Sequence, residues 1–244
     1  MGRGAVPDAI IAMLGWVGAV ALGGLLAAVL MKGRVQWGWL IAALLLMAAY
    51  DAVLTRGYGH LPLSFGSSNW NWEGKAMAVL LSLAVASLPM IGWRRAGLTL
   101  KQDRRGLTGA LILSGLLVAL FLGLALYFPG QGFDLDSLAF QLTMPGLDEE
   151  LFYRGVLLLM LNEAFGRPVR ILGAWMGWGA VLSSLAFGLT HALGYADGAF
   201  TFEPLLMATT GVSALLLVWL REKTGSILLP ILLHNYGNAI FMLL

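Results

Sequence analysis

Residues 9–31 have the sequence AIIAMLGWVGAVALGGLLAAVLM, which contains no charged side chain. A helix of about 20 apolar residues is long enough to cross the hydrocarbon core of a bilayer. Further windows approach this length, and the full set is residues 9–31, 36–54, 76–93, 107–128, 147–165, 171–193, 204–220 and 226–243. The chain is therefore predicted to be all-α, a polytopic membrane helix bundle with about eight transmembrane helices.

The composition of the 244 residues excludes a soluble globular protein. Hydrophobic residues make up 59% and charged residues only 11%, whereas a soluble domain carries about 25% charged residues. The net charge of +2 is a small excess among few charges, so no nucleic-acid partner is expected. The absence of cysteine excludes a disulfide framework, a thiolate metal site and a cysteine nucleophile.

The windows occupy most of the chain, so residues 1–244 are predicted to form a single integral membrane domain. The first window has no small-residue cleavage site before Lys32 and is interpreted as a retained helix rather than a signal peptide. Residues 1–130 are interpreted as scaffold helices, because the acidic and histidine residues at membrane depth fall in the second half of the chain. The moderately apolar stretch 133–145 is interpreted as an interfacial or re-entrant segment.

The loops orient the bundle, because lysine and arginine accumulate on the cytoplasmic side of a membrane. Alternate loops carry eleven such residues on one side and three on the other. The smaller set is Arg3, Arg56 and Lys75. Both termini are therefore predicted to be extracytoplasmic.

Three short polar stretches fall inside or beside predicted helices: DEELFYR at 148–154, FGLTH at 187–191 and HNYGN at 234–238. Ionisable side chains at membrane depth are costly, so each is a candidate functional residue. With the predicted orientation, all three stretches reach one layer near the outer face. Their side chains are therefore expected to meet.

The spacing within these stretches suggests a role for each charged or amide side chain. Glu150 and Arg154 are four residues apart and are predicted to pair on one helix face. Glu149 lies about 100° around an α-helix from Glu150 and is predicted to stay free to act. His234 and Asn238 share the four-residue spacing, and their imidazole and amide would polarise a carbonyl. Each group also has a structural interpretation, as an ion pair locking the bundle or as polar contacts between helices.

His191 completes this set, either as a hydrogen-bonded core histidine or as a partner of Glu149. A carboxylate, two imidazoles and an amide in one water-accessible cavity suit the hydrolysis of a peptide bond. In this hypothesis Glu149 and His191 activate water.

The three motifs resemble those of the CPBP family of intramembrane endopeptidases, the group of CAAX proteases and bacteriocin-processing (Abi-type) proteins. The family pattern is Glu-Glu-x-x-x-Arg, Phe-x-x-x-His and His-x-x-x-Asn on separate helices. Residues 149–154, 187–191 and 234–238 match it in that order. The resemblance covers residues 140–244, which it implies to be the catalytic core, and it implies an eight-helix bundle with the site inside it. It implies water activation by Glu149 and His191, an oxyanion held by His234 and Asn238, and a site organised by Glu150 and Arg154.

The family has been described both as metalloproteases and as glutamate-dependent proteases. No cofactor is expected, because the ligands would come singly from separate helices, with no His-Glu-x-x-His pair. The alternative is a zinc enzyme with Glu149, His191 and His234 as ligands. The expected partners are membrane lipid and a membrane-anchored or exported protein substrate, in a bacterial inner membrane.

Three other functions stay open. One is a non-catalytic membrane binding or immunity protein. A second is a CAAX-type protease of prenylated proteins, although those substrates present their C-terminal cysteine on the cytosolic side, opposite to the predicted placement of the motifs. A third is a proton-coupled transporter, which lacks support because no inverted repeat is visible.

Overall fold

The computed structural model describes residues 5–32, 35–55, 69–128, 130 and 134–244. Its α-helices are α1 (Ala5–Leu30), α2 (Trp37–Thr55), α3 (Trp72–Ala86), α4 (Arg104–Tyr127), α5 (Leu135–Pro145), α6 (Leu158–Phe165), α7 (Trp178–Ala192), α8 (Pro204–Thr224) and α9 (Leu228–Leu243). A π-helix, Gly146–Leu157, joins α5 to α6. Two antiparallel hairpins pair β1 (Val169–Ile171) with β2 (Ala174–Met176), and β3 (Leu193–Ala196) with β4 (Ala199–Phe202). The predicted fold class, a helical membrane bundle, is confirmed.

Four helices of the described residues are long and apolar enough to cross a membrane: Asp8–Leu30, Trp37–Thr55, Arg104–Tyr127 and Pro204–Thr224. They coincide with four of the predicted windows. The windows at 76–93, 171–193 and 226–243 overlap shorter helices, of 15, 15 and 16 residues. The total of eight spans stays a prediction.

Large apolar side chains project outward from the long helices. Leu22 is 68% exposed and Leu45 is 67% exposed. Extended apolar surface of this kind is unfavourable in water but is well solvated by lipid tails. The outward-facing side chains therefore agree with an integral membrane protein.

The predicted window 171–193 is wrong at its N-terminal end. Residues 169–176 form the β1–β2 hairpin, and its turn takes Leu172 and Gly173 through φ angles of 48° and 86°. An α-helix of L-residues cannot include such left-handed positions. Helix α7 therefore begins only at Trp178.

Within the stretch 133–145, residues Leu135–Pro145 form α5. Asp134 caps this helix, because its side chain accepts a hydrogen bond of 2.9 Å from the backbone N–H of Ser137. Hydrogen bonds from the side chain and backbone of Ser137 hold the pKa of Asp134 below its ordinary value.

The chain divides into two compact units, each built from two separate segments. The first comprises residues 1–51 and 157–219, and the second comprises residues 52–156 and 220–244. In the first unit α7 packs against α1 and α6, and β3 lies on α1. In the second unit α5 packs against α3 and α9, and α4 packs against α9. The roles predicted for residues 1–130 as scaffold and 140–244 as catalytic core stay predictions.

Candidate active site

The acidic motif follows a break in the regular α-helical hydrogen bonding, which lies where α5 passes directly into the π-helix at Pro145 and Gly146. Pro145 has no N–H and its ring crowds the preceding turn, so a regular α-helix cannot continue through it. Asn235 of α9 bridges this break. The Gly146 N–H donates to Oδ1 of Asn235 at 2.7 Å, and Nδ2 of Asn235 donates to the Thr143 carbonyl oxygen at 3.3 Å. A Cβ on Gly146 would lie 2.5 Å from that Oδ1 and 2.7 Å from the Ile231 carbonyl oxygen, so only glycine fits.

Replacing Asn235 with Ala is expected to destabilise the protein by about 1–3 kcal/mol, because it removes two hydrogen bonds, each of which contributes about 0.5–1.5 kcal/mol. Thermal unfolding in detergent, followed by tryptophan fluorescence, measures the change. Thr209→Ala, on an exposed position of α8, is the control and should leave the unfolding temperature unchanged. An unchanged unfolding temperature for Asn235→Ala would contradict the bridging role.

The helix that carries Glu149, Glu150 and Arg154 is not the α-helix that was predicted. Residues 146–157 form a π-helix, in which backbone hydrogen bonds run between residues i and i+5. The turn is wider, so the angular step of about 100° per residue that applies to an α-helix does not apply here. Departures of this kind inside helices are frequent at functional sites.

Glu150 is fully buried and contacts both a guanidinium and an imidazole. Its Oε1 lies 3.0 Å from Nη1 of Arg154 and 2.6 Å from Nδ1 of His234. The predicted pairing of Glu150 with Arg154 is therefore confirmed, and Arg154 is itself only 1% exposed. An ionised carboxylate can only accept hydrogen bonds, so His234 donates Nδ1–H to it. Nε2 is then the ring nitrogen of His234 that is available to take part in a reaction.

Glu149 has a counter-ion, so the prediction that it stays free is wrong. Its Oε1 lies 2.5 Å from Nζ of Lys75, and its Oε2 lies 3.7 Å from Nε2 of His234. The same Nζ lies 3.1 Å from Oδ2 of Asp148. Lys75 belongs to the first turns of α3, not to a loop as the sequence suggested.

The remaining predicted residues lie on α9 and α7. Asn238 is partly buried and follows His234 by about one turn of α9. His191 is exposed in the last turn of α7, within the first unit. Its Nδ1–H donates to the Phe187 carbonyl oxygen at 2.7 Å, because a carbonyl can only accept. The structure thus groups Glu149, Glu150, Arg154 and His234 in the second unit, and it places His191 in the first.

Lys75, Asp148 and Asn235 are the residues whose roles the sequence did not reveal. Asp148 and Asn235 lie inside the polar stretches, but no spacing rule assigned them a partner. Lys75 stands at the edge of an apolar window, where a cation at membrane depth needs a counter-ion. This need for a counter-ion is the signal in the sequence that could have identified Lys75.

Charge is nearly balanced within this buried cluster. Lys75 and Arg154 supply two cations against the three carboxylates of Asp148, Glu149 and Glu150. Buried charges persist in a protein only when they are paired and hydrogen-bonded. A proton on His234 would neutralise the set.

The donor set does not favour a resident metal ion. Within the described ranges, no group of three His, Cys, Asp or Glu side chains has an arrangement that could hold one. The Glu149 carboxylate is also engaged by the Lys75 ammonium, and a cation beside it opposes a second one.

Long apolar helices define an integral membrane protein, and its second unit holds a cluster of carboxylate, guanidinium and imidazole groups. Residues 131–240 match the family model described as Type II CAAX prenyl endopeptidase Rce1-like, and this segment contains all three motifs. Over these residues the match confirms the resemblance to the CPBP family, and at the level of the family it supports a CAAX-type intramembrane endopeptidase. No curated protein matches the chain. No solved structure matches it either.

Proposed function

We propose that the protein hydrolyses a peptide bond in a membrane-anchored or exported protein, with Glu149 as the general base. The observation that carries the proposal is the separation of 3.7 Å between Glu149 Oε2 and His234 Nε2. This distance is too long for a direct hydrogen bond, and a water molecule beside the two atoms can bind both. Glu149 accepts a proton from this water while the water oxygen attacks the carbonyl carbon.

His234 and Asn238 stabilise the oxyanion in this proposal. Because Nδ1–H is donated to Glu150, His234 donates from Nε2 when the ring carries both protons. The amide of Asn238 supplies a second donor from the next turn of α9. A single preorganised donor of this kind typically contributes about 10²–10³ in rate. Collapse of the intermediate breaks the C–N bond, and the proton on Glu149 passes to the leaving amine.

His191 is assigned to the water-activation step on the motif alone. Its Nδ1–H is donated to Phe187, so the lone pair of the neutral ring is on Nε2. A fixed tautomer of this kind supports a role as a proton acceptor.

The test is cleavage of a membrane-anchored reporter peptide by the purified protein in liposomes, with the new termini identified by mass spectrometry. A comparison of membrane proteomes from cells with the wild type and with Glu149→Ala then identifies precursors that accumulate uncleaved. If the wild type does not cleave the reporter and no precursor accumulates in cells with Glu149→Ala, a non-catalytic membrane binding or immunity function replaces this proposal.

Removal of divalent metal is expected to leave cleavage within about twofold of the untreated rate, because Lys75 rather than a metal ion neutralises Glu149. The measurement is the initial rate after dialysis against a chelator. Loss of activity that zinc alone restores would support the zinc enzyme with Glu149, His191 and His234 as ligands.

A second candidate substrate class is a prenylated protein with a C-terminal cysteine motif, because the matched family is named for it. Paired peptides with and without a farnesyl group distinguish the two classes, since a prenyl protease requires the lipid. The predicted extracytoplasmic termini favour the exported substrate. A reporter fused after Leu244 that is active only in the cytoplasm would reverse that preference.

A further inference from the structure

We propose that Lys75 is a positioning residue, which holds the Glu149 carboxylate in the orientation used for hydrolysis, and that Asp148 anchors Lys75. The inference rests on the proposed function of Glu149. It adds a residue from α3 to the cluster that the π-helix and α9 form in the second unit.

The two oxygen atoms of Glu149 have different neighbours. Oε1 contacts Nζ of Lys75 at 2.5 Å, and Oε2 faces Nε2 of His234 at 3.7 Å. A carboxylate held at one oxygen by a cation cannot rotate freely about its terminal bond. The ammonium therefore determines which oxygen is presented to water beside His234.

Asp148 holds the ammonium from its other side. Its Oδ2 lies 3.1 Å from Nζ, and the aspartate is fully buried. Lys75 thus separates two adjacent carboxylates that would otherwise repel each other. A compact ammonium with three donors suits a position between two carboxylates.

Hydrogen bonds at the start of α3 fix the position of Lys75. Asn71 caps the helix: its Oδ1 accepts from the Gly74 N–H at 2.9 Å, and its Nδ2 donates to the Leu54 carbonyl oxygen at 2.8 Å. A Cβ on Gly74 would lie 2.2 Å from that carbonyl oxygen. Glycine therefore permits the close approach immediately before Lys75.

The beginning of α3 is also attached to α5, the helix that leads into the acidic motif. Trp70 stacks on Phe140 with ring centroids 4.8 Å apart, and Trp72 meets the same ring edge-on at 5.1 Å. The indole N–H groups donate to Ser137 at 2.8 Å and to Asp136 at 3.3 Å. Helix α5 therefore supports both the start of α3, which carries Lys75, and the π-helix, which carries Glu149. A residue that positions another needs such a shared support.

The chain contains no cysteine, so Lys75→Cys introduces a single thiol that can be modified selectively. This variant is expected to lower kcat about 10- to 100-fold with KM within about threefold, because a misplaced catalytic group costs rate rather than binding. Treatment with 2-aminoethyl methanethiosulfonate restores an ammonium and is expected to recover at least about fivefold in kcat. Methyl methanethiosulfonate, which adds a neutral group, is the control and should restore nothing.

Equal recovery with both reagents, or a wild-type kcat for Lys75→Cys, would overturn the proposal.

If Lys75→Cys does not fold, the double variant Lys75→Met, Asp148→Asn is used for the test, because it removes a cation and an anion together. It is expected to fold and to keep the low kcat, and a wild-type kcat there would also overturn the proposal. Absence of cleavage by the wild type overturns the proposed function and this inference together, whereas cleavage unaffected by changes at Lys75 overturns only the inference.

Discussion

Glu149→Gln is expected to lower kcat by about 10³-fold or more, with little change in KM. The substitution keeps the size of the side chain but removes its ability to take a proton from water, and general base catalysis typically contributes about 10²–10⁴ in rate. The amide oxygen can still accept from Lys75, so the bound geometry is largely retained. The measurement is steady-state cleavage of the reporter peptide in liposomes.

Two control variants test whether a loss of activity in Glu149→Gln comes from the loss of the carboxylate at this position. Glu203→Gln, at an exposed acid before α8, removes the same charge elsewhere and should leave kcat unchanged. Glu149→Asp keeps the carboxylate but shortens it by one methylene, and it should retain more activity than Glu149→Gln. Full activity in Glu149→Gln would exclude Glu149 as the base and favour the non-catalytic alternative.

Glu150→Leu is expected to destabilise the protein by about 3–5 kcal/mol, because it leaves the guanidinium of Arg154 buried without its carboxylate. Arg154 is only 1% exposed and lies 3.0 Å from Glu150. Adding Arg154→Met removes the guanidinium as well. Replacing both members of a buried ion pair by apolar residues is often neutral for stability, so the double variant should unfold near the wild-type temperature.

Activity should not follow stability in this series. His234 donates Nδ1–H to Glu150 at 2.6 Å, and neither the single nor the double variant can accept that hydrogen bond. Loss of orientation at a catalytic group can cost about 10²-fold in rate, so the stable double variant is expected to stay slow. A double variant with wild-type stability and wild-type kcat would show that the ion pair only locks the fold.

The helix break shows why some positions of the site could not be predicted. Pro145 and Gly146 indicate an interruption from the sequence alone, but the type of helix that follows depends on a partner. Asn235 supplies that partner by binding the backbone on both sides of the break. The assumption of an α-helix beyond it therefore gave the correct Glu150–Arg154 pair but the wrong type of helix.

The long apolar windows and the scarcity of charge determined by themselves that this protein lives in a membrane, because hydrophobic length is a property of consecutive residues. The four-residue spacings likewise predicted the pairing of Glu150 with Arg154, because both belong to one helix. The tertiary structure alone decided what neutralises Glu149, since Lys75 is 74 positions away. It also decided what holds the helix break, since Asn235 and Gly146 are 89 positions apart. Contacts between distant segments depend on how helices pack, and no local periodicity encodes them.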